Sequence, residues 1–417
     1  MAQTTTTPLR RNRDFVLLQV GQLLSTAGTS STVIAYPLLV LALTHSPAKA
    51  GIVGFARLLP QALFGLLAGV AADRWNRKRL MLTADSVRAL AIGSFAAAIL
   101  LGHVAWWEIP LVAFIEGTGA TFFGSAQPGA LRSVVPAQQL PAAVGVRGAR
   151  VAAVGLAGPP LGGALFGIGR SVPFVADAAS YAFSFASLLA MRTPFQEARA
   201  ATRAAVRADV REGLHFLWAH PFLRTTALLY GLGNFLMPGV LLVVVVVGRR
   251  QGLSGGEVGA LVAALGAAAL AGSLASPLYR RVLSIRAILL LELWTWLGCW
   301  VFVLEPSVYA LLAIIVPFGI AAPVTDSVVE GYRIAMTPDR LVGRVEAARS
   351  TISLLIAPLG PLVAGLLLDA VSARTTVAVF AGFGLVLAAW GTLSPAIRAA
   401  PSLDDLETLA AAPAQLT

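Results

Sequence analysis

Residues 69–79 read Gly-Val-Ala-Ala-Asp-Arg-Trp-Asn-Arg-Lys-Arg and separate two apolar runs, at about 50–72 and 80–102. Each run supplies the roughly 20 apolar residues that a helix needs to cross the hydrocarbon core of a bilayer. The basic residues between them are Arg74, Arg77, Lys78 and Arg79. Because membrane proteins concentrate such residues in loops on one side of the bilayer, this stretch predicts a short turn between two transmembrane helices.

The composition of the whole chain also indicates a membrane protein. Apolar residues make up 57% of the 417 residues and charged residues 12%, whereas soluble domains carry about 25% charged residues. The single cysteine, Cys299, excludes an internal disulfide. The formal charge of +11 does not indicate nucleic-acid binding, since the basic residues form short clusters between apolar runs.

Twelve apolar runs are long enough to cross a bilayer. The first extends over 16–43 without a small-residue cleavage site, so we interpret it as an uncleaved helix rather than a signal peptide. The other runs lie near 50–72, 80–102, 109–131, 142–168, 172–191, 222–248, 255–279, 284–304, 307–332, 345–369 and 375–396.

The distribution of basic residues predicts the orientation. With twelve spans both termini lie on one side, and 21 of the 31 Lys and Arg residues fall on that side against five on the other. The positive-inside rule therefore places both termini in the cytoplasm of a multi-pass protein of the cell inner (plasma) membrane.

We expect two six-helix bundles, at 1–191 and 222–396. A cytoplasmic linker at 192–221 carries charged and apolar residues at helical spacing, which predicts a short amphipathic helix at the membrane surface. The remaining residues, 397–417, form an Ala-rich, acidic tail that we expect to be mobile.

The two halves share an internal repeat at an offset of 202 residues. The matching residues are Pro136 with Pro338, Arg147 with Arg349, Gly158-Pro159 with Gly360-Pro361, and Gly163 with Gly365. Parallel repeats of six helices suit a carrier whose halves expose one central site to each side of the membrane in turn.

The 69–79 stretch resembles the cytoplasmic loop signature of the major facilitator superfamily. The resemblance covers about 14–396 and implies an all-α fold of twelve transmembrane helices in two pseudo-symmetric bundles. It also implies a gate, in which Asp73 accepts hydrogen bonds from a neighbouring helix N-terminus or an Arg. Asn76 stands where the family has Gly, and we expect it to tolerate a left-handed backbone. The alternative is that the basic residues only anchor the topology.

A second motif, Gly155-Leu-Ala-Gly158-Pro159-Pro160-Leu-Gly162-Gly163, lies in the fifth run. It resembles the Gly-Pro-x-x-Gly-Gly segment of drug:proton antiporters. Small residues let helices pack backbone to backbone and Pro bends a helix, so Gly158, Pro159, Gly162 and Gly163 predict a tight helix crossing.

Three segments narrow the resemblance to the bacterial branch with macrolide-efflux and enterobactin-exporter-like proteins. They are Asn12-Arg-Asp-Phe15, Arg57-Leu-Leu-Pro60 and Gly213-Leu-His-Phe-Leu-Trp218.

Ionisable residues inside a bilayer are costly, so each is a candidate functional residue. Arg57 and Glu116 each lie about eight residues, or about 12 Å, into their helices from the outer side. They can meet if the second and fourth helices are neighbours, as the family fold implies. The pair is then either a structural salt bridge or a proton-coupling site.

The tenth run carries Asp326 and Glu330 one turn apart, followed by Arg333. The family fold places this helix along the cavity, which favours proton coupling for the two acids. Their position near the cytoplasmic end equally favours a gate network with Arg132 or Arg333.

For the other membrane charges we expect structural roles. Asp177 and Glu292 lie on helices that face away from the cavity in the family, which favours packing or contact with the membrane interface. Asp85 and Arg88 form an i, i+3 pair that we expect to support the loop motif, and Arg349 is expected to extend to the cytoplasmic surface.

Polar side chains in the first, fourth and seventh helices predict the substrate cavity, because lipid cannot satisfy their hydrogen bonds. The candidates are Gln22, Thr26, Gln127 and Asn234. The sequence has neither a phosphate-binding Gly-rich loop nor a metal-ligand cluster. We therefore expect no cofactor, no metal and no enzyme activity.

These features predict a monomeric secondary transporter whose partners are a small-molecule substrate, protons and the lipid bilayer. We expect it to export a hydrophobic or amphipathic compound, such as a drug, antibiotic or secondary metabolite, by proton antiport and alternating access. A siderophore or lysolipid carrier, an uptake symporter or facilitator, and a non-transporting receptor or assembly factor remain alternatives.

Overall fold

The structure, a computed structural model, describes residues 8–195, 205–338 and 341–400, and of 205–210 the backbone alone. The predicted C-terminal tail from residue 401 and the linker residues 196–204 lie outside the described residues. The helices of the first half are α1 (Arg13–Thr44), α2 (Pro47–Arg74), α3 (Arg77–Leu100), α4 (Glu108–Val134), α5 (Leu140–Ile168) and α6 (Val172–Ala190).

A further helix, α7 (Ala205–Ala219), precedes the second half. The helices that follow are α8 (Pro221–Gly233), α9 (Leu236–Arg250), α10 (Gly255–Val282), α11 (Ile285–Trp294), α12 (Cys299–Leu304), α13 (Leu312–Met336), α14 (Val342–Ile356), α15 (Leu359–Ala370), α16 (Ala373–Leu393) and α17 (Pro395–Arg398).

The described part of the chain has twelve helical spans long and apolar enough to cross a membrane, which confirms the number predicted. Three spans are interrupted. The seventh consists of α8 and α9, the ninth of α11 and α12 joined by a 3-10 turn, and the eleventh of α14 and α15. In the eleventh span Pro358 follows α14 and has no N–H to continue its hydrogen bonds.

Asparagine and serine side chains cap several helices. The side chain of Asn12 accepts a hydrogen bond from the Phe15 N–H at the start of α1, and Ser46 accepts one from Lys49 at the start of α2. Such caps satisfy N–H groups that a helix start leaves free. They begin each helix at a defined residue, which fixes the depth of the side chains that follow.

The chain divides into two compact units. The first unit groups the described residues of Met1–Thr202 with Gly248–Ala263, and the second groups those of Arg203–Val247 with Ala264–Thr417. In the first unit, α1 packs against α5 and α6, α2 against α4, and α3 against α4 and α6.

Two apolar clusters lie at different depths along α1. One surrounds Phe15 and Leu18 near the helix start. The other is an aromatic cluster in which Tyr36 packs against Phe95 and Phe174, with ring centroids 6.5 and 5.2 Å away. Between them α1 carries Ser and Thr residues, so a polar layer is enclosed by apolar layers inside the first unit.

Candidate functional site

The polar layer of the first unit contains five charged side chains, which we call the buried charge network. They come from four helices: Arg57 on α2, Asp85 and Arg88 on α3, Glu116 on α4 and Asp177 on α6. Asp85, Glu116 and Asp177 have no solvent-exposed surface. Burial of this many ionisable groups is costly unless each is paired or hydrogen-bonded.

Arg57 and Glu116 meet as predicted from their depths. The Arg57 guanidinium donates to both carboxylate oxygens of Glu116, at 3.4 Å from Nε and 3.3 Å from Nη2. The neighbouring Gly117 allows this approach, because a Cβ there would lie 2.2 Å from the Arg57 carbonyl oxygen. The Arg57 side chain keeps 19% of its surface exposed while Glu116 is fully buried.

A hydroxyl chain connects Glu116 to Arg88. Tyr181 Oη lies 3.3 Å from Glu116 Oε1 and 2.7 Å from Thr29 Oγ1, and Arg88 Nη2 donates to Thr29 Oγ1 at 3.1 Å. The Arg88 guanidinium also lies over the Tyr181 ring, 3.8 Å from its centroid. The chain joins α1, α3, α4 and α6 in one hydrogen-bonded assembly.

Arg88 also pairs with Asp85 on its own helix at 3.3 Å, as the i, i+3 spacing predicts. We expected this pair to support the 69–79 loop. Instead, the Arg88 guanidinium points to Thr29 and Tyr181 inside the buried charge network.

Asp177 lies at the α1 side of the network. Its carboxyl oxygens lie 3.0 Å from Thr32 Oγ1 and 3.3 Å from Ser180 Oγ. It is fully buried, which agrees with packing rather than with contact at the membrane interface, the two alternatives expected for this residue.

The predicted gate residues of the 69–79 loop lie where α2 ends and α3 begins. Arg77 Nε donates to the Ala72 carbonyl oxygen at 3.0 Å, and its guanidinium pairs with Asp73 at 3.7 Å. Lys78 donates to the Met191 carbonyl oxygen at 2.6 Å, which caps the end of α6. Positive side chains at the C-terminal ends of α2 and α6 also complement the dipoles of these two helices.

The other predicted members of the gate are distributed along three helices. Asp73 is largely exposed, Arg74 is partly exposed at the end of α2, and Arg132 is exposed near the end of α4. Arg333 lies on α13 in the second unit.

Asn76 differs from its expected conformation. Its φ of −62° and ψ of 111° are extended, and its side chain accepts a hydrogen bond from the Arg79 N–H at 3.0 Å. The left-handed backbone that Asn76 was expected to tolerate is therefore not adopted. Asn76 begins α3 as an N-cap residue, a role that its side-chain oxygen performs and glycine cannot.

The Gly-Pro-x-x-Gly-Gly segment forms close helix contacts within the first unit. A Cβ at Gly158 would lie 2.3 Å from Ser30 Oγ, and one at Gly162 would lie 2.3 Å from the Ser31 carbonyl oxygen. Gly163 faces the backbone of Gly255, where a Cβ would lie 1.8 Å from the carbonyl oxygen. The tight crossing expected from these glycines is what the geometry shows, with Pro159 inside the continuous helix α5.

The repeat equivalent of Gly158 has the same role in the second unit. A Cβ at Gly360 would lie 2.0 Å from the Phe235 carbonyl oxygen. Both glycines therefore let the fifth helix of a half approach the first helix of that half.

The second unit contains a polar cavity of about 520 Å³. Its lining residues are Asn234, Asp326, Ser327, Val329, Glu330, Arg333, Arg349 and Ser353. Asn234 lies in the break between α8 and α9 and donates to Ser353 Oγ at 2.6 Å. Broken helices near the middle of a span are typical of transporter binding sites.

Charged residues of α13 and α14 surround this cavity. Arg333 pairs with Glu330 and with Glu346, and Arg349 pairs with Glu346 at 3.0 Å. Arg349 also lines the cavity, together with Asp326.

The predicted polar lining divides between the two units. In the first unit Gln127 Nε2 donates to Gln22 Oε1 at 2.9 Å, which joins α1 to α4, and Thr26 donates to the Gln22 carbonyl oxygen of its own helix. Asn234 lies in the cavity of the second unit. Among the described residues no group of three or more His, Cys, Asp or Glu side chains is arranged to hold a metal ion.

Sequence reasoning assigned no functional role to Tyr181, Asp177 or Arg88. A signal for the first two was present, because α6 carries polar residues at one helical spacing in an otherwise apolar run: Asp177, Ser180, Tyr181, Ser184 and Ser187. Such a stripe lies on one face of a helix and predicts a polar neighbour.

Known proteins resemble this chain over most of its length. The family model for transmembrane secretion effectors matches residues 3–416. The multidrug efflux pump Tap of Mycolicibacterium fortuitum is 29% identical over 379 residues, covering 87% of this chain and 90% of Tap. Macrolide efflux protein A of Streptococcus pyogenes is 31% identical over 121 residues, covering 27% of this chain and 30% of that protein.

Among solved structures, a bacterial homologue of the human lysosomal transporter Spinster has a similar fold. It superposes with a TM-score of 0.74 at 17% identity, over 93% of this chain and 98% of that one. This likeness confirms the twelve-helix fold predicted from the loop signature and the hydropathy.

Proposed function

This chain belongs to the transmembrane secretion effector family of the major facilitator superfamily, and we propose that it exports a hydrophobic or amphipathic small molecule in exchange for protons. The family and the multidrug and macrolide efflux relatives make it an efflux transporter and not an enzyme. The observation that carries the proton part of the proposal is the buried charge network, whose acids lie inside a membrane-spanning unit.

An exporter that works by alternating access needs a substrate-binding site. We assign substrate binding to the polar cavity of the second unit, with Asn234 in the helix break, and to Gln22, Thr26 and Gln127 of the first unit. A cavity of about 520 Å³ falls in the range of sites that take drug-sized ligands. The cavity of the second unit combines an amide, two carboxyl groups and two guanidinium groups, which suits the polar or charged part of an amphipathic substrate.

Proton coupling is assigned to the pair of Arg57 and Glu116, with Asp326 and Glu330 as the alternative in the second unit. The Arg57 pair is supported by its burial and by its hydroxyl link to α1. A substrate or a helix movement that separates the pair would leave Glu116 without its counter-charge, and binding a proton then lowers the cost of burial.

The remaining assignments concern the cytoplasmic gate, the two helix bundles and the orientation in the membrane. We propose that the 69–79 loop, with Asp73, Arg74 and Arg77, forms the cytoplasmic gate together with Arg132 and Arg333. We also propose that the protein acts as a monomer. Its two six-helix bundles, at 1–191 and 222–396, are joined by the linker at 192–221. The basic loops support a location of both termini in the cytoplasm, with the protein in the inner (plasma) membrane of the cell.

The proposal is tested by proton-driven movement of ethidium, a lipophilic cation, into everted membrane vesicles acidified inside. We expect wild-type vesicles to accumulate ethidium, and an uncoupler to abolish the accumulation. Glu116→Gln should reduce it to the level of vesicles without the protein. Glu305→Gln serves as the matched control, because Glu305 is an exposed acid after α12.

Asp326→Asn separates the two coupling assignments. If only Asp326→Asn abolishes accumulation, coupling lies in the second unit and the Arg57 pair is structural. If wild type moves no ethidium under any gradient, export of lipophilic cations is wrong, and transport of labelled lysolipid or siderophore would support the alternative substrates.

A further inference from the structure

The buried charge network contains unequal numbers of positive and negative groups. It has three carboxyl groups, on Asp85, Glu116 and Asp177, and two guanidinium groups, on Arg57 and Arg88. Two ion pairs form, Arg57 with Glu116 and Arg88 with Asp85, both at 3.3 Å. One carboxyl group, that of Asp177, is therefore left over.

In the described part of the chain no Lys, Arg or His nitrogen lies within ion-pair distance of Asp177. The charged and titratable groups around it are Arg88 and Asp85 on α3, Glu116 on α4, Arg57 on α2, Tyr36 on α1 and Tyr181 on α6. Both guanidinium groups in this set already have a carboxylate partner. An unpaired carboxylate with no exposed surface would be the most costly member of the network.

The hydroxyl groups beside Asp177 give independent evidence on its protonation. Each hydroxyl has one hydrogen to donate. Thr32 Oγ1 lies 2.9 Å from the Thr29 carbonyl oxygen and 3.0 Å from Asp177 Oδ2. Ser180 Oγ lies 2.7 Å from the Asp177 carbonyl oxygen and 3.3 Å from Asp177 Oδ1.

In both cases the backbone carbonyl is the nearer acceptor. If the hydroxyls donate to these carbonyls, as Ser and Thr in helices commonly do, the contact between Asp177 and Thr32 needs a hydrogen from the carboxyl group. A protonated Asp177 donates from Oδ2 to Thr32 Oγ1 and supplies the hydrogen that this contact needs.

The backbone around Asp177 is shaped for its carboxyl group. A Cβ on Gly28 would lie 2.5 Å from Asp177 Oδ1 and 2.5 Å from Ser180 Oγ. Glycine at this position of α1 therefore makes the space that the carboxyl group occupies. The polar layer is also enclosed, with Thr32 roughly 26 Å along α1 from Phe15 and one turn before the Tyr36 aromatic cluster.

We propose that Asp177 is a second proton-binding site of this exporter, beside the pair of Arg57 and Glu116, and that it is protonated in the conformation described; the export role rests on the proposed function. Proton release breaks the O–H bond of the carboxyl group and transfers the proton to water that enters when the first unit opens. The carboxylate that remains attracts the Arg88 guanidinium away from Thr29 and Asp85. Loss of the bond from Arg88 to Thr29 then couples deprotonation to the position of α1.

Infrared spectroscopy tests the protonation directly, without any substrate. We expect wild-type protein in liposomes at neutral pH to show the carbonyl stretch of a protonated carboxylic acid in the membrane. That band should be lost in Asp177→Asn and retained in Glu305→Gln. A band that is absent from wild type, or unchanged in Asp177→Asn, overturns the site.

The transport test uses Asp177→Asn in the same everted vesicles. Asn keeps the shape and donates to Thr32 Oγ1, so ethidium binding should remain. Coupling free energies between two ligands correspond to about 5- to 150-fold changes in affinity, and we expect a pH dependence of ethidium affinity in that range to be lost. Ethidium should then equilibrate without responding to the pH gradient.

Two further results separate the proton site from the proposed function. An infrared band that depends on Asp177, together with wild-type coupling in Asp177→Asn, overturns the export role. Wild-type vesicles that move no ethidium make the proposed function wrong and overturn the export role, while the band at Asp177 still upholds the proton site.

Thr32 supplies a second pair of variants in case Asp177→Asn does not fold. Thr32→Val removes the hydroxyl at nearly constant volume, and Thr32→Ser retains it. We expect Thr32→Val to shift both the pH at which the carboxyl band appears and the pH dependence of ethidium export, and Thr32→Ser to shift neither. Identical titrations of the two variants would overturn the proposal.

Discussion

Arg57 and Glu116 illustrate why a buried ion pair indicates function more than stability. Desolvation of two charges offsets most of their attraction, and apolar side chains in place of such pairs are often as stable. The Arg57 pair lies inside a membrane-spanning unit, where such a replacement would remove a large desolvation cost. A charge that changes during transport, as proposed above for Glu116, would account for the presence of the pair.

Breaking this pair on one side should be more harmful than removing both charges. Glu116→Gln leaves the guanidinium of Arg57 without its partner, and we expect a loss of about 3 kcal/mol in unfolding free energy, the lower end for broken buried pairs because Arg57 is partly exposed. The double variant Arg57→Leu, Glu116→Leu should lose less than Glu116→Gln alone. Thermal and denaturant unfolding in detergent measures both, and a double variant that loses as much as Glu116→Gln or more would contradict this account.

The residues of the candidate site differ in how far the sequence predicts them. The sequence predicts that Arg57 and Glu116 can meet, because both lie at the same depth in their helices, measured from the same side of the membrane. Asp177 and Arg88 were missed as a site because hydropathy does not give the direction in which a side chain points. The spacing of the polar residues on α6 carries that direction and would have found Asp177.

At the scale of the helix, the packing of α5 depends on individual glycines. Gly162 meets backbone atoms of α1, which cannot move aside as a flexible side chain can. Gly155 on the same helix has open space where its Cβ would be. The two positions therefore separate the effect of close packing from the intrinsic effect of alanine on a helix.

We expect Gly162→Ala to destabilise the protein by about 1–3 kcal/mol, as overpacked positions do. Gly155→Ala should be neutral or stabilising by up to about 1 kcal/mol, since alanine favours the helix. The measurement is the unfolding temperature of purified protein in detergent, followed by tryptophan fluorescence. Equal effects at the two positions would show that the contact with Ser31 does not limit stability.

Element boundaries were predictable to a few residues where polar residues end an apolar run. The first run was expected at 16–43 and the helix spans Arg13–Thr44. The breaks at Asn234 and Pro358 were not predicted, because a helix interrupted inside protein has the same mean hydropathy as a continuous one. They depend on tertiary contacts that satisfy the freed carbonyl groups.

At the scale of the whole molecule, orientation is a property of the charge distribution. The loop at 74–79 is basic, while the connection from α3 to α4 carries no Lys or Arg. If the positive-inside rule holds for this chain, the first loop is cytoplasmic and the second is external.

Cysteine labelling tests this orientation in a Cys299→Ser background. Arg79 and His103 are both exposed and lie at opposite ends of α3. We expect a membrane-impermeant maleimide to label His103→Cys in intact cells, and Arg79→Cys only after permeabilisation. The reverse pattern would place both termini outside.

The left-over carboxyl group of the buried charge network has an electrical consequence. With a proton on Asp177 the network carries two positive and two negative charges, so its movement through the membrane field involves no electrical work. Without that proton it carries one net negative charge, and a charge that crosses the whole field gains or loses about 2.3 kcal/mol per 100 mV. The transmembrane voltage would then act on only one half of the transport cycle, as a second driving force beside the pH gradient.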